Sequence, residues 1–180
     1  NGSEKVTLTN VKFNDNVKGY NGFEIGLSSG VLPKYVNIKD CDFGGTLTNN
    51  AILIFGTQDN AVINIENCHF GRISNALRIS NKTNATNVTI NVKNCSVDEW
   101  DVRKEWEGFM ICEDYTSGTV ALEQSNNLFA SSKITVNFTN LTHKGEKITA
   151  DYEGQICYVW YDNGNKKETD NNRIPTINFL

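Results

Sequence analysis

The sequence predicts an all-β fold, a β-solenoid of about five to six coils of ~27 residues with a longer fourth coil. Three observations predict it. An eight-residue pattern of alternating apolar and polar residues recurs five times, and a second short apolar segment follows each of the first four copies. Asn or Asp returns at one fixed repeat position, with Cys beside it in three copies. Strands this short cannot bury their apolar faces alone. Stacking copies about 4.8 Å apart lets every strand pair with its equivalent in the next coil.

Residues 6–13, 36–43, 63–70, 90–97 and 136–143 read VTLTNVKF, VNIKDCDF, INIENCHF, INVKNCSV and VNFTNLTH. Alternation of this kind marks a strand with one face buried. The fifth position is Asn10, Asp40, Asn67, Asn94 and Asn140, at successive spacings of 30, 27, 27 and 46 residues. In a stack these side chains form a ladder, each amide bonding to the copies above and below. Val11, Cys41, Cys68, Cys95 and Leu141 form one inward column, and Phe13, Phe43 and Phe70 another. The second segments, 22–25, 51–54, 76–79 and 108–111, each place a small residue before a large apolar one and close on Ile; 156–159 is a less regular fifth. Residues 174–179 supply a final strand. An antiparallel sandwich also has many short strands, but it gives no reason for a fixed Asn-Cys register every 27 residues. The exception to the strand pattern is 98–108, where Glu99, Trp100, Val102 and Trp106 suit one or two helical turns. The chain 1–180 therefore reads as a single solenoid domain with excursions at 97–109 and 113–133 and a capping region over 156–180.

Composition narrows the function classes. The 180 residues are 38% apolar and 21% charged, with net charge −4. The polarity is instead uncharged, since 26 asparagines outnumber the 21 acidic residues. Disorder needs high charge or abundant Pro as well as low hydrophobicity, and this chain has 2 prolines. No apolar run approaches a membrane span, and no basic stripe suits nucleic acid. Five cysteines cannot all pair within one chain, and none forms a C-x-x-C pair. They read as buried thiols acting as small hydrophobes, which favours folding in a reducing compartment.

The run apolar-x-Ile-x-Asn-Cys-x-Phe, followed by Asn-Ala-Leu-x-Ile, resembles the right-handed parallel β-helix repeats of the pectin-lyase-like superfamily over residues 6–180. That resemblance implies a right-handed parallel β-helix. It does not choose among the superfamily's polysaccharide lyases, glycoside hydrolases, surface proteins and phage tailspikes or other virion proteins.

Residue by residue, the enzymes' motifs are missing. There is no Asn-Thr-Asp with Asp-Asp and His-Gly, no Arg-x-Pro-x-x-Arg, and no stacked Asp cluster to hold Ca²⁺. No cofactor or metal is expected. The nearest constellation is Asp42 beside His69 with Arg72 close by, in the outward column Asp42, His69, Ser96, Thr142. It offers one carboxylate where glycoside hydrolysis needs two. His143 reads as a turn residue.

Long excursions from a regular solenoid carry binding surfaces. Trp100, Trp106 and Tyr115 are the candidate ligand-binding residues, able to stack on sugars or anchor a protein. The alternative is that they fold down to cover the solenoid. The aromatics Tyr158, Trp160 and Tyr161 suit a cap over the last coil. The chain opens Asn-Gly-Ser with its first repeat strand at Val6, so either a preceding domain has been removed or other chains of a larger assembly are expected to cover that end.

Together these features predict a non-catalytic structural or attachment module of a virion: a capsid-decorating, fibre or tailspike-type protein. The alternatives are a polysaccharide lyase or glycoside hydrolase, and a cell-surface adhesion or glycan-binding domain. The expected location is the virion or the cell surface.

Overall fold

Alternation along each strand dictates how it packs, and the sheets follow from it. A computed structural model describes residues 4–13, 18–25, 32–80, 85, 87–100, 108–114, 134–161 and 175–180. Among these every regular element is a strand: β1 (Lys5–Thr9), β2 (Lys18–Ile25), β3 (Tyr35–Lys39), β4 (Asp42–Ile54), β5 (Val62–Glu66), β6 (His69–Ser80), β7 (Val88–Lys93), β8 (Ser96–Trp100), β9 (Gly108–Asp114), β10 (Ile134–Thr139), β11 (Thr142–His143), β12 (Glu146–Lys147), β13 (Cys157–Tyr161) and β14 (Thr176–Phe179).

One sheet holds six parallel strands in the order β1-β3-β5-β7-β10-β14. Its register pairs Thr7, Asn37, Asn64, Asn91, Asn137 and Asn178 across successive strands. The second sheet runs β2-β4-β6. There β6 forks, its first half pairing β8 and its second half β9. Beyond β8 lie β11 and then β12, the latter antiparallel; beyond β9 lies β13. The chain is thus all-β with parallel ladders, an arrangement compatible with a solenoid.

Between the sheets lies the core. In the first sheet Val36 and Ile38, Ile63 and Ile65, Ile90 and Val92, and Val136 and Phe138 are almost wholly buried. Burying one such side chain stabilises by about 1.5–3 kcal/mol. The second sheet contributes Ile52, Ile54, Leu77, Ile79 and Met110. An aromatic spine runs through the middle: Phe13, Phe43, Phe70, Phe109, Phe138 and Phe179, with successive ring centroids 5.1, 5.3, 5.8, 5.3 and 5.6 Å apart.

The turn asparagines have a backbone reason. Asn10, Asp40, Asn67, Asn94 and Asn140 sit at φ of 57, 53, 54, 51 and 54°. That left-handed conformation costs most L-residues about 1–2 kcal/mol, and Asn and Asp tolerate it best after Gly. Each then bends the chain from the first strand into the next. Their side chains also form a ladder, Asn67 donating to Asp40 (2.9 Å), Asn94 to Asn67 (3.3 Å) and Asn140 to Asn94 (3.1 Å). After the bend, Cys41, Cys68 and Cys95 point inward. Their thiols lie 3.2, 3.3 and 3.3 Å from the carbonyls of Lys39, Glu66 and Lys93, to which they donate. Burial pushes the Cys41 thiol up, so it stays protonated and acts as a small apolar filler.

Two expectations need correction. Residues 98–100 continue β8 as strand, not helix, because Trp100 turns inward opposite Ile73. The segment 108–111 runs one residue out of the expected register: Met110 pairs with Leu77, and Gly108 pairs with Asn75. The rung explains the slip. Val97 occupies the Phe column there and brings no ring, and the shift carries Phe109 inward to stand edge-on to both Phe70 and Phe138. The expected strands at 156–159 and 174–179 are present as β13 and β14, which extend the two parallel ladders. The side chains of Tyr158, Trp160 and Tyr161 lie outside the described residues.

Candidate functional site

On the outer face of the second sheet, Lys12, Asp42, His69, Ser96 and Thr142 fall in one column because their backbones are in register. Two further facts shape the column. Gly71 must be glycine, since a Cβ there would meet the Gly45 carbonyl oxygen at 2.8 Å. Asp42 is held locally, its Oδ1 accepting from the Gly44 N–H at 2.9 Å.

His69 joins the site together. Its Nδ1 lies 2.8 Å from Asp42 Oδ1 and its Nε2 lies 2.9 Å from Asp98 Oδ2. Lys12 Nζ stands 3.4 Å from the other Asp42 oxygen. Sequence spacing finds Asp42 and His69 as neighbours but misses Asp98. The signal was present: Asp98 is two residues beyond Ser96, on the same face of the same strand. Arg72 sits further along β6, in register with Thr46 and Glu99.

Burial alone would lower the His69 pKa, but the hydrogen bonds and charges of Asp42 and Asp98 outweigh it and raise it above the ordinary 6.5. Burial likewise pushes Asp42 up, yet the hydrogen bonds from His69 and Lys12 hold it below 3.8. When protonated, the ring is an imidazolium clamped between two carboxylates, tying three rungs together. The opposite ring nitrogens face different acids, so no single point is shared by all three side chains. Among the described residues no group of three could hold a metal ion.

The sign of the pH effect follows. With the folded His69 pKa raised, its contribution is complete below 6.5 and is lost as pH rises through the raised value. With Asp42 depressed, its share is present above 3.8 and is lost as pH falls through the folded value. The His69 side chain is 39% exposed, so solvent screening limits the clamp to about 0–1 kcal/mol. Urea unfolding across a pH series should show wild-type stability falling as pH rises above 6.5 and His69→Gln lacking that fall. An identical profile for both proteins would remove the clamp from the account.

The candidate ligand-binding aromatics separate. Trp106 and Tyr115 lie outside the described residues. Trp100 is 9% exposed, and its ring stacks on His143 with centroids 5.1 Å apart. Its Nε1–H donates to the Tyr152 hydroxyl at 3.2 Å. Face and N–H are thus both used inside the fold, which is the covering role and not an exposed sugar platform. His143 is no turn residue. It lies in β11 opposite Val97, at the repeat position held by Phe13, Phe43 and Phe70 in earlier rungs. Burial and the neighbouring Lys144 hold its pKa below 6.5.

The outer face of the first sheet carries the longest polar array. Asn64 donates to Asn37 (2.9 Å), Asn91 to Asn64 (2.9 Å), Asn137 to Asn91 (2.8 Å) and Asn178 to Asn137 (2.9 Å). Lys39 and Lys93 flank Glu66 beside it, at 3.5 and 3.7 Å. Comparison of the chain with known protein families, with curated proteins and with solved structures finds no match.

Proposed function

We propose that this chain is a non-catalytic structural and attachment module, a right-handed parallel β-helix serving as a virion-associated protein of the capsid-decorating, fibre or tailspike type. The observation that carries the reading is the unbroken Asn37–Asn64–Asn91–Asn137–Asn178 amide ladder. Side chains able to do chemistry are committed from rung to rung, as a stiff rod requires. The right hand rests on the strong handedness preference of crossovers between parallel strands in one sheet.

The partners in this reading are other chains of the assembly. β1 and β2 are the outermost strands of their sheets, with half-buried Val6, Leu8, Phe13, Phe23 and Ile25 at that end. Edge strands of this kind are templates for pairing. Surface glycans are the second class of partner, and a cell-surface location follows if attachment is to them.

Polysaccharide cleavage remains the competing reading, because Asp98 supplies the second carboxylate that the sequence did not show beside Asp42. Both acids, however, are occupied by the one imidazole. Incubation with a panel of acidic and neutral polysaccharides distinguishes the readings, following retention and newly released chain ends together. Retention without release is the expected result. Release that disappears in Asp42→Asn and Asp98→Asn variants would replace the structural reading with an enzymatic one.

A further inference from the structure

The chain has 2 histidines, and the fold puts them in opposite settings. His69 is held by carboxylates. His143 is packed among aromatic side chains beneath the short hairpin β11–β12. That hairpin ends the second sheet on the β8 side, and β12 is its antiparallel outer strand. Lys144 and Gly145, at φ of 52 and 80°, turn the chain back. A returning antiparallel strand blunts an edge that would otherwise accept another parallel strand. Besides the strand pairing, the backbone bonds of this closure include Thr142 N–H to the Cys95 carbonyl, Lys144 N–H to Val97 and Ile148 N–H to Leu141, at 3.0, 3.0 and 2.8 Å.

Three side chains lock it. An indole N–H can only donate, so the Tyr152 oxygen accepts from Trp100, leaving the hydroxyl proton for another partner. That partner is His143 Nδ1, 2.9 Å away. Nδ1 is therefore the acceptor, and the proton of the neutral ring sits on Nε2. Nε2 is buried, without a hydrogen-bond partner among the described residues. A second proton on the ring would set a donor against the Tyr152 hydroxyl and place a charge where Nε2–H cannot be solvated.

We propose that the Trp100–His143–Tyr152 cluster is an acid-released latch, holding the β11–β12 hairpin over the edge of β8 while His143 is neutral and freeing it when His143 takes up a proton. The charged groups around it split: Lys144 on the turn opposes protonation, while Glu146 on β12 and Glu99 on β8 favour it. The facing Trp100 ring also attracts an imidazolium. Burial, the largest influence, acts with Lys144 and leaves the latched ring harder to protonate than the free one. The sign is then set. The latch is complete above the ordinary 6.5 and weakens as pH falls through it, by up to about tenfold per pH unit. Acid thus uncovers a parallel edge at β8 while leaving the His69 clamp charged and closed.

Hydrogen exchange on the whole chain tests this, with rates corrected for the intrinsic pH dependence. Between about pH 7.5 and 5.5, protection at Thr142, Lys144 and Ile148 should fall, by at most about tenfold, while β5 and β7 keep theirs. His143→Phe restores the ring found in earlier rungs and should make that protection independent of pH. If this variant does not fold, His143→Gln, which keeps an acceptor but takes up no proton, should flatten the profile in the same way. The same loss of protection in the non-titrating variant, or none in the wild type, would overturn the latch. So would an NMR titration midpoint for His143 above 6.5.

Discussion

Replacing Phe70 with Ala should destabilise the protein by about 3–5 kcal/mol, the ordinary cost of emptying a fully buried aromatic site. In a chain of this length that is roughly 6–20 °C in melting temperature. Phe70 has no exposed surface, lies 5.3 Å from the Phe43 ring at an interplanar angle of 7°, and meets Phe109 edge-on at 5.8 Å. Its position makes the cost high. It is held between the Phe43 ring on β4 and the Phe109 ring on β9, its neighbours on either side within the second sheet, so the cavity cannot close by a shift of one rung. Phe13, half-buried at the outer rung with one ring neighbour among the described residues, should cost clearly less when replaced in the same way. Thermal and urea unfolding of the two variants checks both the size and the order. A loss below about 1 kcal/mol at Phe70 would mean that the spine is not packed as described.

The spine also shows how far the sequence could be read. Periodicity placed Phe43 and Phe70 in one column and Cys41, Cys68 and Cys95 in another, because a period-2 strand repeated at 27 residues leaves little freedom in register. It did not place Phe109. The cue used for that strand, a small residue before a large one, is satisfied equally by Gly108-Phe109 and by the slipped register. What decides between them is the space left by Val97 on β8, the other branch of the same sheet, a tertiary fact. His143 shows the converse. Its repeat position matched the Phe column throughout, and only its polarity argued for a turn. Here the register won, and the ring nitrogens found Tyr152. At the candidate site, Asp42 and His69 were legible because direct cross-strand neighbours follow from register. Asp98 was not, because its contact with His69 depends on a side chain reaching diagonally across one rung.

Asn67 separates the two reasons for asparagine at the turn. Asn67→Val should cost about 2–4 kcal/mol, from a β-branched residue forced to φ of 54° and the loss of two ladder bonds. Asn67→Gly keeps the left-handed conformation and loses only the bonds, with some unfolded-state entropy, and should cost about 1–2 kcal/mol. Urea unfolding of both variants measures the difference, which is the conformational share. Equal losses would mean that the backbone conformation contributes nothing and the ladder everything. Asn67→Asp adds a sharper constraint. Asp40 accepts from the Asn67 amide, and a carboxylate at 67 would put two acceptors face to face with like charge. That variant should lose more stability at neutral pH than at acid pH, where one of the pair can carry a proton and donate it. An acceptor-only side chain is tolerated in this column where the next rung supplies a donor, and Asp40 meets that condition through Asn67.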